Sequence, residues 1–516
     1  MENPHLRIFL ACLACTILLL FRHGYTFGSG DQSEMLPYAK YLFDNTLYPS
    51  DFYIQSIASS VPNERYIFSW LLSYLGDYLE WGIFILHIIA TMLLVLGLYR
   101  LAVKGLHHPN AQWLATLVPV MVFYGVNLGG NELYYNTFLP SYVAQVIGLW
   151  VFLYAMGGKI LPMYVLLMLA TYVHPLIGVQ LWLLMTLSLI VMILLDNKKS
   201  LLIGLLIFNL LYFFSAGILI YKIKNGYDSG NPDSAVFFDI IRFRAPHHYL
   251  PHTFPLSHWL ILAFPFYVGW RASDSIVKFV FRWIAIGLLV YIAGVYILKS
   301  PTPLSTQWFS TTVWVKTFSF LIFLSFVEIF MAKFKPKDYF LLQKLTSNTF
   351  FFNGLLVATV LSIILMTPQY RLLKEKPYEL PFFNNENAEV RISQLAKEKT
   401  SQNALFLIPA DLSEFRFWSE RSSFIDYKAT NHRQAAFQEW YDRIQKVYKI
   451  SLADRLNGAD LTALANQHFQ NLKETDFLEF ANNQHITHVL TFKNVLLTFP
   501  KIAENDKYVI YEIPHG

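Results

Sequence analysis

Long apolar runs separated by short charged turns dominate the first 367 residues, and this pattern predicts membrane-spanning helices. The first run covers residues 8–21 and the last covers 350–366. Residues 160–195 contain no Asp, Glu, Lys or Arg. This stretch is long enough for two short spans, with His174 and Pro175 at the turn between them. We therefore predict a multi-pass α-helical membrane protein with about eleven transmembrane helices.

Basic residues lie mainly in alternate turns between these runs. Because the cytoplasmic side of a membrane protein carries the excess of Lys and Arg, the N-terminus is predicted inside and the C-terminus outside. Loops 23–80 and 222–257 then lie on the outer side with the C-terminal region. The residues on the predicted cytoplasmic side are Arg7, Arg100, Lys104, Lys159, Lys198, Lys199, Arg271, Lys278, Lys333, Lys335 and Lys337.

The chain becomes more polar after residue 367, and apolar strand-like segments alternate there with helical periodicity. This pattern predicts a soluble, extracytoplasmic α/β domain over 368–516 with a largely parallel sheet, following a transmembrane domain over 1–367. The predicted helices are 387–399, 433–448, 461–472 and 475–482, and the predicted strands are 404–409, 422–427, 487–492 and 508–513.

Composition supports the membrane assignment and excludes other classes. The chain is 55% hydrophobic and only 15% charged. Its net charge of +5 resides in turns, without a basic, aromatic-interleaved face that would indicate nucleic acid as a partner. Cys12 and Cys15 both lie in the first apolar run, so no disulfide framework is predicted. The absence of an N-x-S/T sequon favours a bacterial inner (cytoplasmic) membrane over a eukaryotic secretory route.

The loop at 23–56 holds the candidate catalytic acids Asp31, Glu34 and Asp51. A carboxylate that is partly desolvated where membrane meets water becomes a stronger base or a cation ligand. Asp31 follows Gly28, Ser29 and Gly30, which let the backbone bend soon after the first span. The alternative is structural, because acids also cap helix N-termini and turns. These acids are suitable ligands for a divalent cation, so a cation cofactor stays an open alternative. No particular set of metal ligands is assigned.

The second loop supplies the opposite charge. Guanidinium and imidazole groups suit a phosphate or pyrophosphate, so four residues within 244–252 are candidate substrate ligands: Arg244, His247, His248 and His252. Contact with anionic lipid headgroups is the alternative. His174 is predicted near the membrane interior, where it either lines a cavity or packs in the turn. Lys316 lies in the outer half of a span, where it either snorkels or binds an anion.

Three segments carry a resemblance to a known superfamily: GDQSEMLPYAKYLFDNTLYPSDFY from Gly30, RAPHHYLP from Arg244, and FRFWSERSSFIDYKATNHRQAAFQEWYDR from Phe415. With the predicted topology, they resemble the GT-C superfamily of integral-membrane glycosyltransferases, and within it an uncharacterised bacterial family of GT-C-like membrane proteins. The likeness extends over essentially the whole chain. The sequence has no WWDYG or DxD motif, and the outer loop 23–80 has no adjacent Asp-Glu pair. The resemblance therefore identifies neither the acceptor nor a metal requirement.

The resemblance implies transfer of a sugar from a polyprenyl-phosphate carrier to an extracytoplasmic acceptor, which is a lipid, glycan or protein. In GT-C enzymes a catalytic acid lies in the first outer loop, and this corresponds by position to Asp31. Two other functions stay open: a transporter or flippase for lipid-linked envelope polymers, and a non-catalytic scaffold for envelope assembly. A transporter predicts inverted repeats and acids buried within helices, whereas a scaffold needs no polar cavity at the outer membrane edge.

Overall fold

The computed structural model describes residues 4–195, 200–227, 234–272, 274–298, 300, 302–333, 348–374 and 387–514. Its contacts divide the chain into two compact units. Unit 1 comprises Met1–Tyr25, Ile85–Ile218 and Pro246–Tyr378, and unit 2 comprises Thr26–Phe84, Leu219–Ala245 and Glu379–Gly516. The two predicted loops therefore belong largely with the C-terminal region in unit 2.

Seven described helices are long and apolar enough to cross a membrane, which confirms a helical membrane protein. Four further apolar helices have 13 to 17 residues and fall short of the roughly 20 that a bilayer requires, so the predicted number of spans is not confirmed. The four are Pro109–Met121, Pro140–Met156, Ile160–Val173 and Leu256–Trp270. The seven are Pro4–His23, Gly76–Gly105, Pro175–Leu195, Leu202–Asn225, Ser275–Ile297, Pro303–Met331 and Phe350–Thr367.

Unit 1 also contains irregular helical segments and short helices. Two long helices include a π-helical turn, at Phe213–Gly217 and at Ala293–Ile297. The flanking α-helical parts in unit 1 are Ser200–Tyr212 and Ser275–Ile292, and the part Ile218–Tyr227 belongs to unit 2 from Leu219 onward. The other helices are Pro246–Tyr249, Pro251–Thr253, Thr302–Thr306, Trp308–Thr311, Thr312–Lys333 and Asn348–Lys374.

Unit 2 consists of short helices and one sheet. From the loops come Gln32–Phe43, Phe52–Ala58, Tyr66–Ser73, Gly76–Tyr78 and Ser234–Arg244, and the helix Leu79–Gly105 begins in this unit. The C-terminal region adds Ala388–Lys399, Phe415–Ser419, Gln434–Tyr448, Leu452–Leu456, Leu461–Gln470 and Glu474–Gln484.

The sheet has five strands in the order β2-β1-β3-β5-β4. Strand β1 pairs in parallel with β2 and β3, whereas β5 pairs antiparallel with β3 and β4, so the sheet is mixed rather than largely parallel. The strands are β1 Leu405–Leu407, β2 Ser422–Ser423, β3 His488–Phe492, β4 Lys501–Glu504 and β5 Tyr508–Glu512. Buried side chains from β1, β3, β5 and the helix Ala388–Lys399 form the core under it.

A second core of unit 2 joins the first loop to the C-terminal region. Tyr38, Tyr48, Tyr53 and Ile54 are buried around Ala429. Tyr48 also donates a hydrogen bond from its hydroxyl to the Arg416 carbonyl over 3.0 Å. Burial of these rings stabilises unit 2 by the hydrophobic effect and fixes the acidic loop on the C-terminal region.

Some sequence predictions fall on residues outside the described ranges. Lys198, Lys199, Lys335 and Lys337 of the predicted cytoplasmic side are among them, as are 228–233 of the second loop and 375–386 of the predicted C-terminal domain. The predicted domain boundary at 367/368 lies within the helix Asn348–Lys374.

Candidate functional site

Asp31 is placed by a glycine-rich turn in unit 2. Gly28 and Gly30 have φ values of +79° and +61°, a region that residues with a Cβ rarely adopt. The Gly28 amide donates to Oε1 of Gln32 over 2.8 Å, which closes the turn. Asp31 is the N-cap of the helix Gln32–Phe43, but its side chain makes no capping hydrogen bond. The carboxylate is therefore not used to start the helix.

The Asp31 carboxylate meets a cation from the C-terminal region. Its Oδ1 lies 2.8 Å from Nζ of Lys428, and the two side chains are 61% and 31% exposed. Arg244 donates from Nη2 to the carbonyl of the same Lys428 over 2.7 Å, while its Nε is buried without a hydrogen-bond partner. Asp31 and Arg244 are far apart in sequence, but within unit 2 both contact Lys428.

Glu34 occupies a different environment although it lies only three residues later. Its side chain is 8% exposed and is ion-paired with Nη2 of Arg65. Arg65 also donates to the Thr430 carbonyl over 3.0 Å, so the pair joins the first loop to the C-terminal region. These contacts favour a structural role for Glu34 over a catalytic one.

Asp51 is fully buried and its oxygens are occupied. Oδ1 accepts from the Ile54 amide at the start of the helix Phe52–Ala58. Oδ2 accepts from Nε of Arg416 over 2.6 Å and from the Ser423 amide over 2.8 Å. Arg416 donates from Nη1 to Asp426 over 2.6 Å, which makes a buried acid–cation–acid triad. The contacts agree with the capping alternative and favour a structural Asp51.

Electrostatics hold this triad charged. Burial disfavours the Arg416 guanidinium, but the carboxylates of Asp51 and Asp426 outweigh that effect and raise the pKa of Arg416. A charge pair of this kind is costly to break because the remaining partner stays buried.

The predicted histidines of the second loop lie in unit 1, where they contact other parts of the chain. Nδ1 of His248 donates to the Gly129 carbonyl over 3.1 Å, and the His247 and His248 rings lie 4.2 Å apart between centroids. Nδ1 of His252 lies 2.7 Å from the Tyr296 hydroxyl. Their role in substrate binding stays a prediction.

The two intramembrane candidates also have protein partners. Nζ of Lys316 lies 2.5 Å from Oε2 of Glu132 and donates to the Phe123 carbonyl over 3.1 Å. The anion that Lys316 binds is thus a carboxylate of the protein itself. Nδ1 of His174 accepts from the Ile177 amide over 3.3 Å at the start of the helix Pro175–Leu195, which agrees with the packing alternative.

Sequence reasoning missed Lys428 and Arg416. Both lie in the C-terminal region, where nothing in the local pattern marks one cation over another. Only the fold shows that each meets an acid more than 350 positions earlier. Within the described ranges, no group of three or more His, Cys, Asp or Glu side chains is arranged to hold a metal ion.

Comparison with protein-family models finds a match to a minor part of the chain. A family model described as a domain of unknown function, DUF6798, matches residues 387–447, a minor part of the chain. No curated protein matches the chain. The matched segment contains Arg416 and Lys428, which pair with Asp51 and Asp31 of the first loop, and Asp426, the second carboxylate partner of Arg416.

Proposed function

We propose that this protein is a membrane glycosyltransferase of the GT-C type, which transfers a sugar from a polyprenyl-phosphate carrier to an extracytoplasmic acceptor. The observation that carries the proposal is the contrast among the three acids of the first loop. Glu34 and Asp51 are buried in ion pairs, whereas the Asp31 carboxylate is largely exposed beside Lys428. Asp31 is thus the one acid of the three that a substrate can reach. Its exposure differs from the partial desolvation expected of a catalytic acid here, so the bound substrate must itself exclude water from the carboxylate.

Asp31 is the general base in this proposal. The acceptor hydroxyl attacks the anomeric carbon of the sugar and gives its proton to the Asp31 carboxylate. The bond between the anomeric carbon and the carrier phosphate oxygen breaks, and its electron pair leaves with the polyprenyl phosphate. The step requires no oxidant or reductant.

Lys428 and Arg244 are the proposed ligands of the carrier phosphate. The negative charge on the departing phosphate grows during the reaction, so cations placed beforehand lower its energy. The ammonium of Lys428 lies at Asp31, and the Arg244 guanidinium donates from Nη2 to the Lys428 carbonyl over 2.7 Å.

Activity of an Asp31→Asn variant tests the proposal. Native mass spectrometry of the purified full-length protein first identifies the co-purified polyprenyl-phosphate-linked sugar, and that glycolipid is then used as donor, with its acceptor, in nanodiscs. We expect Asp31→Asn to lose roughly 10²- to 10⁴-fold in transfer rate while it still binds the carrier. Glu439→Gln, which alters an exposed acid of unit 2, is the matched control and should keep its activity. Normal transfer by Asp31→Asn contradicts the proposal.

We place the protein in the bacterial inner membrane, with the N-terminus inside and the C-terminal region outside, on the basis of the one-sided Lys and Arg distribution. A reporter that is active only outside the cytoplasm should be active when fused after residue 400 and inactive when fused after residue 106. The reverse pattern contradicts this orientation.

A further inference from the structure

The helix Tyr66–Ser73 of unit 2 has one buried side and one exposed apolar side. Phe68, Ser69 and Leu72 are buried, and Ser69 donates to the Met35 carbonyl of the preceding helix over 3.4 Å. Trp70 and Leu71 point away from this contact and are 41% and 49% exposed. The helix thus holds the Asp31-bearing segment on one side and leaves large apolar side chains uncovered on the other.

The exposed side continues onto neighbouring segments. Phe43 packs against Gly76, where an added Cβ would lie 3.2 Å from its ring. The rings of Trp70 and Tyr74 meet edge to face, with centroids 5.1 Å apart. We define the aromatic face of unit 2 as the exposed residues Phe43, Trp70, Leu71, Tyr74, Tyr78 and Trp81.

We propose that the aromatic face rests in the headgroup region of a lipid bilayer and that the helix Tyr66–Ser73 lies along the membrane surface. Tyr78 and Trp81 already belong to the membrane-spanning candidate Gly76–Gly105, so the face is continuous with a segment that enters the bilayer. Trp and Tyr prefer this depth because their rings are apolar and their N–H and O–H groups stay hydrated. A soluble surface seldom exposes so many adjacent aromatic residues.

The charge of this region predicts how the face binds. Residues 66–99 contain no Lys or Arg, and Asp77 and Glu80 carry negative charge within the same stretch. The cations that flank this stretch, Lys40 and Arg65, are held in ion pairs with Glu420 and Glu34, so anionic headgroups meet little uncompensated positive charge there, in contrast to basic amphipathic helices. The contact should depend on apolar area and be indifferent to lipid charge.

Spin labels on the full-length protein in phosphatidylcholine nanodiscs test this inference. The native cysteines are replaced through Cys12→Ala and Cys15→Ala, and labels are attached to Leu71→Cys or Tyr74→Cys. Asn483→Cys, on an exposed helical position of the same unit, is the matched control. We expect the ratio of oxygen to nickel-chelate collisions to be several-fold higher at 71 and 74 than at 483, and unchanged when phosphatidylglycerol is added.

Three results overturn the inference. Equal ratios at 71, 74 and 483 place the face in water, and loss of both kinds of collision shows that protein covers it, whether a second copy or another partner. A ratio that rises only with phosphatidylglycerol indicates electrostatic binding. If the labelled variants do not fold, brominated lipids provide a second measurement: they should quench the tryptophan fluorescence of the unaltered protein more than that of Trp70→Phe.

Discussion

Asp31 and Asp51 are two acids of one loop that share their sequence setting and differ in their surroundings. Each precedes a short helix of unit 2, and each is ion-paired with a cation from the C-terminal region. Yet Asp51 is fully buried with four hydrogen bonds to its oxygens, whereas 61% of the Asp31 side chain is exposed.

The comparison shows how a fold assigns different roles to similar residues. A buried carboxylate with full hydrogen bonding stabilises structure, and protonating it would remove those bonds. An exposed carboxylate beside a partly exposed ammonium group loses little when a substrate replaces that partner. The Asp51 region is therefore expected to respond to mutation in stability, and the Asp31 region in function.

The largest expected stability effect is that of Arg416→Met. This change leaves Asp51 and Asp426 buried without their cation, so we expect a loss of about 3–5 kcal/mol in the free energy of unfolding of unit 2. Hydrogen exchange of the full-length protein, measured on the helices Phe52–Ala58 and Gln434–Tyr448, reports this loss. Lys501→Met removes an exposed ion pair with Glu504 and should leave the free energy of unfolding nearly unchanged, because solvent screens such a pair. Equal losses in the two variants would erase the distinction between buried and exposed pairs.

The loss of stability expected for Glu34→Gln is smaller than that for Arg416→Met and larger than that for Lys501→Met. The change removes one of two carboxylate partners of Arg65, and the guanidinium keeps Glu64 and the Thr430 carbonyl. We expect a destabilisation of about 1–3 kcal/mol in the same exchange experiment. Transfer activity should persist in the folded fraction. A variant that is stable but inactive would instead assign Glu34 to the catalytic site.

Hydropathy and capping predicted much of the fold because these signals are local. The helix predicted over 387–399 is observed as Ala388–Lys399, with the side chain of Asn387 accepting from the Glu389 amide as its N-cap. The strand predicted over 508–513 is Tyr508–Glu512. Strand β4 was missed because Lys501–Glu504 is short, charged and at the sheet edge, where burial imposes no apolar alternation.

The candidate site was predictable only in part. Glycines ahead of Asp31 indicated an unusual turn, and the structure has positive φ at Gly28 and Gly30. The partners of the acids were not predictable, because Asp51 and Arg416 are 365 positions apart and no local pattern links them. For the same reason the sequence could not separate a buried Asp51 from an exposed Asp31.

The next prediction concerns Lys428 and tests the function of the exposed pair. Lys428→Met should change the free energy of unfolding of unit 2 by less than about 1 kcal/mol, because both side chains of the ion pair reach solvent. If Lys428 binds the carrier phosphate, affinity for the polyprenyl-phosphate lipid should fall about tenfold, or ~1.4 kcal/mol. Native mass spectrometry with added lipid measures the affinity, and Lys446→Met, elsewhere in unit 2, is the control. Unchanged affinity would remove Lys428 from the proposed site.

The smallest expected effect is a pH dependence of the stability that Glu420 contributes. The side chain of Glu420 is less exposed than that of Asp31 and more exposed than that of Asp51, and it pairs with two cations. Its oxygens lie 2.8 Å from Nζ of Lys40 and 2.6 Å from Nζ of Lys397. Burial works to raise the pKa of this carboxyl, but the two ammonium groups outweigh it and lower that pKa below its ordinary value. A depressed folded-state pKa contributes stability that is present above the unfolded value of about 4.3 and is lost as the pH falls through the folded value.

The stability difference between the wild type and Glu420→Gln therefore should be largest near neutral pH and shrink as the pH falls from about 5 to about 3. Thermal unfolding of both proteins across the range isolates Glu420, because every other carboxyl is common to them. A difference that stays constant or grows towards acid pH would show that the ammonium groups do not hold Glu420 in its charged form.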